Sequence, residues 1–418
     1  MLKKIAVVLL ITLFSVNIYG CTFRESKNQE SVVISFSFWG NESRYDKTMA
    51  AVEAFEDKYP NIKVNIVYGE WTGFVDKMKV LIMANNEPDL MQINYDWINK
   101  FSKDGTGFYD LRKLNEVLEL NQYSDELLDY GSSNDILNGI PIAMNSKVFF
   151  YNKTLGDKYG IDKYDTWDSL FEARNKIPEG EYPLELDSEH SWILSTAYIR
   201  EKTGKDFINR NGTLEFSKDD IKDLLNFYKN LIDKKIIPLP NTIKDKYLGD
   251  NRAIAGYAWQ NQASKYSKSA QKNNSDIEIG EIPSASGNNN IKFVKPAMLY
   301  GISKNTQYPE EAALLMKFLL TDDEAVKDIG VDRGIPSNPK AVEILENNNQ
   351  LEGIEYEFNK NNSNAKEVVM NPYFENASIK NICIDSINSI AYNEMSVDEC
   401  AESTYTQLVN TLQIILYE

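Results

Sequence analysis

The sequence predicts an α/β protein with two domains. In the first hundred residues, three segments with the alternating, β-branched or aromatic pattern of strands are separated by segments with helical spacing. This order is typical of a parallel sheet with helices packed on it. The chain has 418 residues, and because a single core stops growing efficiently at that size, two domains are expected.

Composition excludes several classes of protein. Lys and Arg number 45 against 62 Asp and Glu, so the formal charge is −17, whereas a nucleic-acid binder needs clustered cations. One histidine and three cysteines leave little for histidine-based catalysis or a Cys/His zinc site. The only long apolar run lies at the N-terminus, which excludes a polytopic membrane protein. We therefore expect no nucleic-acid partner, no metal and no cofactor.

The N-terminal segment resembles the signal peptide of a bacterial lipoprotein. A positively charged start precedes an apolar stretch, 5–14, that is too short for a comfortable membrane span. The stretch leads to a run that resembles the lipobox, Ile18-Tyr19-Gly20-Cys21. This resemblance implies that residues 1–20 are removed, that Cys21 carries acyl chains such as palmitate, and that residues 21–30 form a lipidated tether. The alternative is plain secretion with an incidental Cys21.

The three strands of the first domain each end beside a tryptophan. They are predicted at 32–38, 62–68 and 88–93, with a helix after each of the first two. Ligands of parallel α/β sheets bind beyond the carboxyl ends of the strands. The candidate ligand-binding residues there are Trp39, Asn41, Glu42, Glu70, Trp71, Asp96 and Trp97.

Later segments predict the second domain and its connections. The passage 139–152 predicts a strand that leaves one domain and enters the other. Thr166 is expected to cap a helix, and residues 218–236 have the pattern of an amphipathic helix. The C-terminal third is predicted to be mostly helical. Cys383 and Cys400 lie in two of its helices, and we favour two buried thiols over a disulfide.

Six short motifs occur in order along the chain. They are Tyr-Pro-Asn-Ile-Lys-Val at 59–64, Pro-Asp-Leu at 88–90, the passage 139–152, Thr-Trp-Asp-Ser-Leu at 166–170, Tyr-Pro-Glu-Glu-Ala-Ala at 308–313 and Arg-Gly-Ile-Pro-Ser at 333–337. Together with the lipobox, this ordered set resembles the family 1 extracellular solute-binding proteins, the sugar-binding components of bacterial ABC importers. The resemblance spans essentially the whole mature chain.

The resemblance implies a periplasmic-binding-protein-like fold in which two α/β lobes are joined by a hinge and close on a sugar in a central cleft. The N-terminal lobe would comprise residues 31–143 plus 300–332. The C-terminal lobe would comprise residues 144–299 plus 333–418. The chain would cross between the lobes near 142–144, 298–300 and 331–335.

Sugar binding requires two kinds of side chain. Aromatic rings cover the apolar C–H faces, and Asp, Glu, Asn, Gln or Arg bond the hydroxyl rim. The match to sugar-contacting positions of the family is best for Glu42, Asp96 and Asn145. In the second half of the chain the resemblance adds Glu189, His190, Trp259, Tyr300 and Arg333.

Each candidate also has a structural explanation. A tryptophan usually packs in a core, and a carboxylate is usually solvated. Asn145 could cap a chain crossing, His190 could be satisfied within the protein, and Arg333 could join the lobes through an ion pair. With a charge of −19 after removal of the signal peptide, a strongly anionic sugar is less favoured unless Arg333 or Lys147 lies in the site.

The function implied by the resemblance is that of a monomeric substrate-binding lipoprotein. It would capture a carbohydrate, with the abundant tryptophans favouring an oligosaccharide, and deliver it to ABC permease subunits served by a separate ATPase. The lipid on Cys21 would anchor it to the outer face of the cell membrane, in a Gram-positive rather than a Gram-negative cell. The protein itself would catalyse no reaction.

Three alternatives remain open from the sequence alone. A glycoside hydrolase needs two carboxylates about 5–10 Å apart across a cleft, and the chain has many carboxylates but no recognisable catalytic pair. A binder of another solute, such as a polyamine, ferric ion or peptide, would share the fold. A sensor that presents its liganded state to a signalling partner would share it as well.

Overall fold

The computed structural model describes residues 31–242, 248–287, 290–360 and 365–417. The predicted signal peptide, Cys21 and the predicted tether lie outside the described residues. Within the described part of the chain, no helix is long and apolar enough to cross a membrane.

Eleven strands are present in the described residues. They are β1 (Val32–Trp39), β2 (Ile62–Gly69), β3 (Leu90–Ile93), β4 (Ser132–Ser133), β5 (Ile136–Leu137), β6 (Ile140–Asn152), β7 (Tyr182–Glu185), β8 (Ala253–Trp259), β9 (Ile277–Gly280), β10 (Ile291–Ile302) and β11 (Lys366–Val369).

The α-helices surround these strands. The first eight are α1 (Glu42–Lys58), α2 (Trp71–Met83), α3 (Asp96–Phe101), α4 (Asn115–Leu118), α5 (Asp125–Asp129), α6 (Lys153–Tyr159), α7 (Trp167–Ala173) and α8 (Ser188–Thr203). The others are α9 (Lys218–Asp233), α10 (Ala263–Gln271), α11 (Pro309–Thr321), α12 (Asp323–Ile329), α13 (Pro339–Asn347), α14 (Ile354–Lys360), α15 (Ala377–Ala391) and α16 (Val397–Tyr417). Short 3₁₀ helices include Gln260–Gln262 and Pro372–Glu375.

The main sheet is mixed rather than wholly parallel. Its strand order is β2-β1-β3-β10-β6-β8-β7, with β11 added to β10 and β9 added to β6. The predicted strands β1, β2 and β3 are parallel, as the sequence indicates. β10 runs antiparallel to both β3 and β6, because it returns to the first lobe from the second. This antiparallel strand is not predicted by the local sequence pattern.

Two long strands connect two separate cores. β6 places Ile142 in one core and Phe149 in the other, and β10 does the same with Leu299 and Phe293. The strand predicted at 139–152 to leave one domain and enter the other is therefore confirmed. Each lobe has its own buried apolar cluster, as expected of a domain.

The chain after the predicted boundary at residue 332 still contacts the N-terminal lobe. Arg333 bonds Gln92 and Thr48 of that lobe. Helix α13 packs against α12 and α11, and it follows the predicted boundary at residue 332. The lobe limits given above stay a prediction.

Local sequence signals explain where several helices begin. The Thr166 hydroxyl accepts a hydrogen bond from Ser169 N at 3.1 Å and so caps α7, as predicted. Ser396 and Glu399 form the predicted capping box before α16. Cys383 and Cys400 are buried free thiols, and burial raises the pKa of both. The preference for buried thiols over a disulfide is confirmed.

Candidate functional site

The carboxyl ends of β1, β2 and β3 bring three tryptophans together. β1 and β2 pair in register, with Trp39 opposite Gly69, so Trp71 follows directly beside Trp39. The ring centroids of Trp39 and Trp71 are 5.1 Å apart, and those of Trp39 and Trp97 are 6.2 Å apart. The geometry of the first pair is edge-to-face, which aromatic rings favour.

The three tryptophans differ in exposure. Trp71 is 47% exposed, whereas Trp39 is 8% exposed and Trp97 only 1% exposed. The ring of Trp71 is therefore accessible to a ligand. The ring of Trp39 packs against it on the protein side. Trp97 packs inside the core against Phe101, and in this structure it offers no surface for stacking.

The polar candidates at these strand ends lie at helix N-termini. Asn41 caps α1, because its Oδ1 accepts a hydrogen bond from Arg44 N at 2.9 Å. Glu42 begins the same helix and Glu70 occupies the N-cap position of α2, and both are exposed. The two carboxylates lie where a helix favours negative charge, next to Trp39 and Trp71.

Asp96 lies at the start of α3, at the border between the lobes. Its Oδ1 accepts a hydrogen bond from Asn94 Nδ2 at 2.6 Å. Burial raises the pKa of the Asp96 carboxyl, and the charge of Glu375 from the other lobe adds to this shift. Helix α3 packs against the 3₁₀ helix Pro372–Glu375. Asp96 therefore faces the C-terminal lobe.

On the C-terminal lobe, Trp259 lies at the end of β8 and is partly exposed. It pairs across the sheet with Lys147 of β6, so both side chains lie on the same face. The Lys147 Nζ is 4.2 Å from the centre of the Trp259 ring, and the Lys295 Nζ is 4.6 Å from it. Two ammonium groups thus contact one indole, an arrangement that the ring quadrupole stabilises.

Lys147 is fully buried, and its Nζ has no hydrogen-bond partner among the described residues. Burial disfavours the charged form and lowers the pKa of the Lys147 ammonium to about 7, although the charges of Glu189 and Asp187 oppose the shift. The sequence indicates Lys147 only as a residue that would favour an anionic sugar if it lay in the site. The signal that could have found it is a lysine directly before the apolar run 148–151 of a buried strand, where a charge is rarely buried.

The other lysines of this region are paired. Lys295 Nζ lies 2.7 Å from Glu375 Oε1, and Lys380 Nζ lies 3.2 Å from Glu189 Oε1 and 3.9 Å from Glu375 Oε2. Burial alone would raise the pKa of Glu375, but the charges of Lys295 and Lys380 outweigh it and hold the pKa below its usual value. Glu189, predicted as a ligand contact, is therefore engaged within the protein. Lys295, Lys380 and Glu375 were not among the predicted site residues.

His190 belongs to a small network at the start of α8. Asp187 caps this helix by accepting a hydrogen bond from His190 N at 2.7 Å, and its carboxylate lies 2.7 Å from His190 Nδ1. Burial alone would raise the pKa of the Asp187 carboxyl, but its contacts with His190 lower it to about 2. The second ring nitrogen, Nε2, is buried without a hydrogen-bond partner. The His190 ring lies 6.4 Å from the ring of Tyr257.

Three further candidates are buried where the strands cross between the lobes. Asn145 is 6% exposed, and its Oδ1 accepts from Asn261 N at 3.3 Å. Tyr300 is 1% and Arg333 is 3% exposed. Arg333 Nε donates to Gln92 Oε1 at 3.1 Å. The contacts of Arg333 hold the predicted third crossing, near 331–335, against the N-terminal lobe. Arg333 forms no ion pair with the described residues.

The structure thus divides the thirteen predicted ligand contacts into groups. Trp39, Trp71, Glu42, Glu70 and Asp96 lie together at the edge of the N-terminal lobe. Trp259, Glu189 and His190 lie together on the C-terminal lobe with Lys147. Asn41 has a capping role, and the remaining four, Trp97, Asn145, Tyr300 and Arg333, are buried. Among the described residues, no cluster of three or more His, Cys, Asp or Glu could hold a metal ion.

A separate cavity of about 1080 Å³ also lies between the lobes. It is lined by residues of both lobes, among them Tyr95, Arg210 and Tyr373. None of the thirteen ligand contacts grouped above lines this cavity, although Tyr373 is a further aromatic candidate that the resemblance implies. It lies close to Asp96, because Tyr95 immediately precedes that residue.

Comparison with known proteins identifies the family. A family model described as bacterial extracellular solute-binding protein matches residues 50–352. The chain belongs to this family. Two relatives illustrate it. An uncharacterized ABC transporter extracellular-binding protein of Pyrococcus horikoshii is 23% identical over 77% of this chain and 76% of its own. An arabinooligosaccharide-binding protein of Halalkalibacterium halodurans is 23% identical over 44% of this chain and 42% of its own.

Solved structures show the same fold. A periplasmic oligogalacturonide binding protein from Yersinia enterocolitica has a TM-score of 0.83 at 28% identity, covering 92% of this chain and 100% of that one. A structure of such a protein from the same organism with saturated digalacturonic acid has a TM-score of 0.78 at 29% identity and the same coverage. A de novo designed esterase has a TM-score of 0.85 at 28% identity, again covering 92% and 100%.

These findings confirm the predicted family and the two-lobed α/β fold. This solute-binding protein is the substrate-binding component of an ABC transporter and acts outside the cytoplasm. The family consists of binding proteins and not of enzymes, which overrules the glycoside hydrolase interpretation.

Proposed function

We propose that this solute-binding protein captures an oligosaccharide between its two lobes and delivers it to the permease of its transporter. The observation that carries the proposal is the pair of aromatic surfaces, Trp39 with Trp71 on one lobe and Trp259 on the other. Such rings stack on the apolar faces of sugars. The exposed carboxylates of Glu42 and Glu70 beside the first surface supply acceptors for hydroxyl groups.

The names of relatives support the same class of ligand. They include the arabinooligosaccharide-binding protein, a multiple sugar-binding protein of Streptococcus mutans and the oligogalacturonide binding protein. These proteins bind different sugars, and what they share is the chemistry of an oligosaccharide. We therefore propose the class and not one of their ligands.

We also propose that the mature protein is a monomeric lipoprotein. The motif at 18–21 supports removal of residues 1–20 and acylation of Cys21. Two acyl chains would give stable anchoring, and the lobes would remain free to meet the permease subunits, with a separate ATPase driving release. An anchor on the outer face of the membrane suits a Gram-positive cell. Mass spectrometry of the protein purified from membranes tests this, since an unmodified Cys21 would overturn it.

Isothermal titration against a panel of mono- and oligosaccharides tests the proposed ligand class. We expect heat from at least one oligosaccharide, and Trp71→Ala should weaken that binding tenfold or more. Tyr308→Ala is the matched control, because Tyr308 is also exposed but follows the opposite end of the sheet, where Ile302 pairs with Leu90. Silence across the whole panel would overturn the carbohydrate proposal.

A polyamine is the second candidate, because Glu42 and Glu70 lie beside aromatic rings. The buried ammonium of Lys147 on the facing lobe opposes a cationic ligand. Spermidine belongs in the same titration, and binding of spermidine without any sugar would favour this candidate instead.

A further inference from the structure

We propose that the oligosaccharide carries a carboxylate, as a hexuronic acid does, and that Lys147 is the residue that binds this group. The inference rests on the proposed sugar-binding function, and it names the chemical class of the sugar.

The Lys147 ammonium makes no direct polar contact with the described residues. The side chain is fully buried and its Nζ has no hydrogen-bond partner among the described residues. An ammonium group taken out of water without a partner is costly, because neither its charge nor its hydrogen-bonding capacity is satisfied. The Nζ lies over two aromatic rings, 4.2 Å from the centre of the Trp259 ring and 5.6 Å from the centre of the Tyr257 ring. A bound anion would supply Lys147 with both a counter-charge and a hydrogen-bond acceptor.

The carboxylates near Lys147 are already paired with other side chains. Asp187 lies against His190 at 2.7 Å, Glu189 against Lys380 at 3.2 Å, and Glu375 against Lys295 at 2.7 Å. These are three of the four groups whose charges act most strongly on Lys147, the fourth being the ammonium of Lys295. Within the described residues Lys147 is therefore a buried cation without a counter-charge in direct contact, in a protein whose formal charge is −17.

Lys147 lies beside Trp259, the proposed stacking surface of the C-terminal lobe. Lys147 and Trp259 are a cross-strand pair on one face of the sheet. A sugar ring held by Trp259 would carry its substituents within reach of Nζ. Two further polar atoms nearby are also buried without hydrogen-bond partners, His190 Nε2 and the Tyr257 hydroxyl, and sugar hydroxyls can pair with both.

A carboxylate fits this arrangement better than a hydroxyl. A neutral hydroxyl accepts a hydrogen bond from the ammonium but leaves its charge uncompensated. A carboxylate supplies a charge-assisted hydrogen bond, which is shorter and about twice as strong as a neutral one. The site therefore selects a uronic acid over the corresponding neutral sugar.

The test compares a uronic oligosaccharide with its carboxyl-reduced form by isothermal titration of the full mature protein. Di- and trigalacturonate and the reduced galactose oligomers of the same linkage are the probes. We expect the uronates to bind at least fiftyfold more tightly. Lys147→Met should remove this preference. Lys304→Met, at an exposed lysine beyond the far end of β10, is the matched control and should keep the preference.

The outcomes separate the two proposals. If other sugars of the panel bind but no uronic oligosaccharide does, or if the reduced sugars bind as tightly as the uronates, the carboxylate inference is overturned and the sugar-binding function stands. If no carbohydrate binds at all, both proposals fail. The comparison of the uronic oligosaccharide with its carboxyl-reduced form uses only the wild-type sequence. Poor folding of Lys147→Met would therefore not obscure the result.

Discussion

At the scale of single residues, Lys147 has the most unusual environment of the candidate site. A buried lysine without a partner destabilises the fold, so its presence beside Trp259 is better explained by binding than by folding. The same reasoning explains why the candidate site contains paired as well as unpaired charges. Glu189 and Glu375 pair with Lys380 and Lys295, whereas Lys147 has no carboxylate in direct contact among the described residues.

Replacing Lys147 with methionine should stabilise the protein. The pKa of Lys147 falls from 10.5 to about 7 on folding, and each unit corresponds to about 1.4 kcal/mol, so at pH 6 the gain should be on the order of 3–5 kcal/mol. The unfolded chain binds more protons than the folded one between pH 7 and pH 10.5, so the wild type gains stability as the pH rises through this range. Urea unfolding at pH 6 and pH 9 checks this.

The variant should therefore show its largest advantage at pH 6 and a smaller one at pH 9. Leu and Met fill similar volumes to the lysine stem, so Lys147→Leu serves as a second variant. A loss of stability in both variants at pH 6 would mean that the ammonium makes a stabilising contact.

Binding of a uronate should weaken as the pH rises above 7. The ligand carboxylate favours the ammonium form, so the pKa of Lys147 is higher in the complex than in the free protein. Affinity is then fully present below pH 7 and falls up to tenfold per pH unit above it. The charges facing Lys147 are Asp187, Glu189, Glu375 and Lys295. Titrations at pH 6, 7, 8 and 9 measure the profile.

Lys147→Met provides the control for this profile. The variant retains all four facing groups and His190, so its affinity should vary little with pH if Lys147 is the titrating group. An equally steep profile in the variant would assign the pH dependence to another residue.

Trp259→Ala should weaken sugar binding at least tenfold and lower the melting temperature much less than loss of a core tryptophan does, because the ring is partly exposed at a strand end. Trp167→Ala is the matched control. Trp167 is 5% exposed and packs edge-to-face on Tyr198 and Phe227, so its loss should lower the melting temperature strongly. Calorimetry and titration of both variants measure the two effects. A large drop in the melting temperature of Trp259→Ala would make it a core residue.

At this scale the sequence predicted some side chains better than others. The positions of Trp39 and Trp71 at strand ends follow from strand periodicity and from the general location of ligands in α/β sheets, whereas Trp259 is implied by the family resemblance. The burial of Trp97, Tyr300 and Arg333 does not follow, because it depends on which helices and strands pack over them. The pairing of Lys295 with Glu375 joins residues 80 positions apart, which no local pattern indicates.

At the scale of elements, the helices that begin at the strand ends position the candidate site. α1, α2 and α3 each start within three residues of the end of a parallel strand. Their N-termini therefore meet at one edge of the sheet, and residues there serve both the helix and the site. Asn41 is the clearest example, since it was predicted as a ligand contact and is observed as a cap.

Variants of Asn41 separate these two roles. Asn41→Ala should destabilise the protein by about 1 kcal/mol through loss of the cap, whereas Asn41→Ser should retain most of the stability, because serine is a comparable cap residue. Denaturant unfolding and sugar titration are measured on both variants. Wild-type sugar affinity in Asn41→Ser would mean that Asn41 only caps the helix. A tenfold loss of sugar affinity would mean that Asn41 also contacts the sugar.

The elements themselves were largely predictable. β1, β2, β3 and β6 show alternating or continuous apolar patterns, and α9 has a clear polar and an apolar face, so local periodicity is enough to locate them. The place of β10 in the sheet is not local. Its partners β3 and β6 precede it by more than a hundred residues, and only the folded topology places it between them.

At the scale of the whole molecule, β6 and β10 pass from one core to the other at the base of the candidate site. Lys147 and Lys295 lie on these two strands, so the charges of the site are close to the segments that bend when lobes of this kind close. A ligand that contacts Lys147 on one lobe and Trp71 on the other would favour the closed form by its extra contacts.

Solving a crystal structure of the mature protein with a bound oligosaccharide tests the central claim most directly. We predict a sugar chain between Trp71 and Trp259, with an acidic substituent within hydrogen-bond distance of the Lys147 Nζ. A sugar bound elsewhere, for example in the cavity beside Arg210 and Tyr373, with Trp71 and Trp259 untouched, would contradict the account.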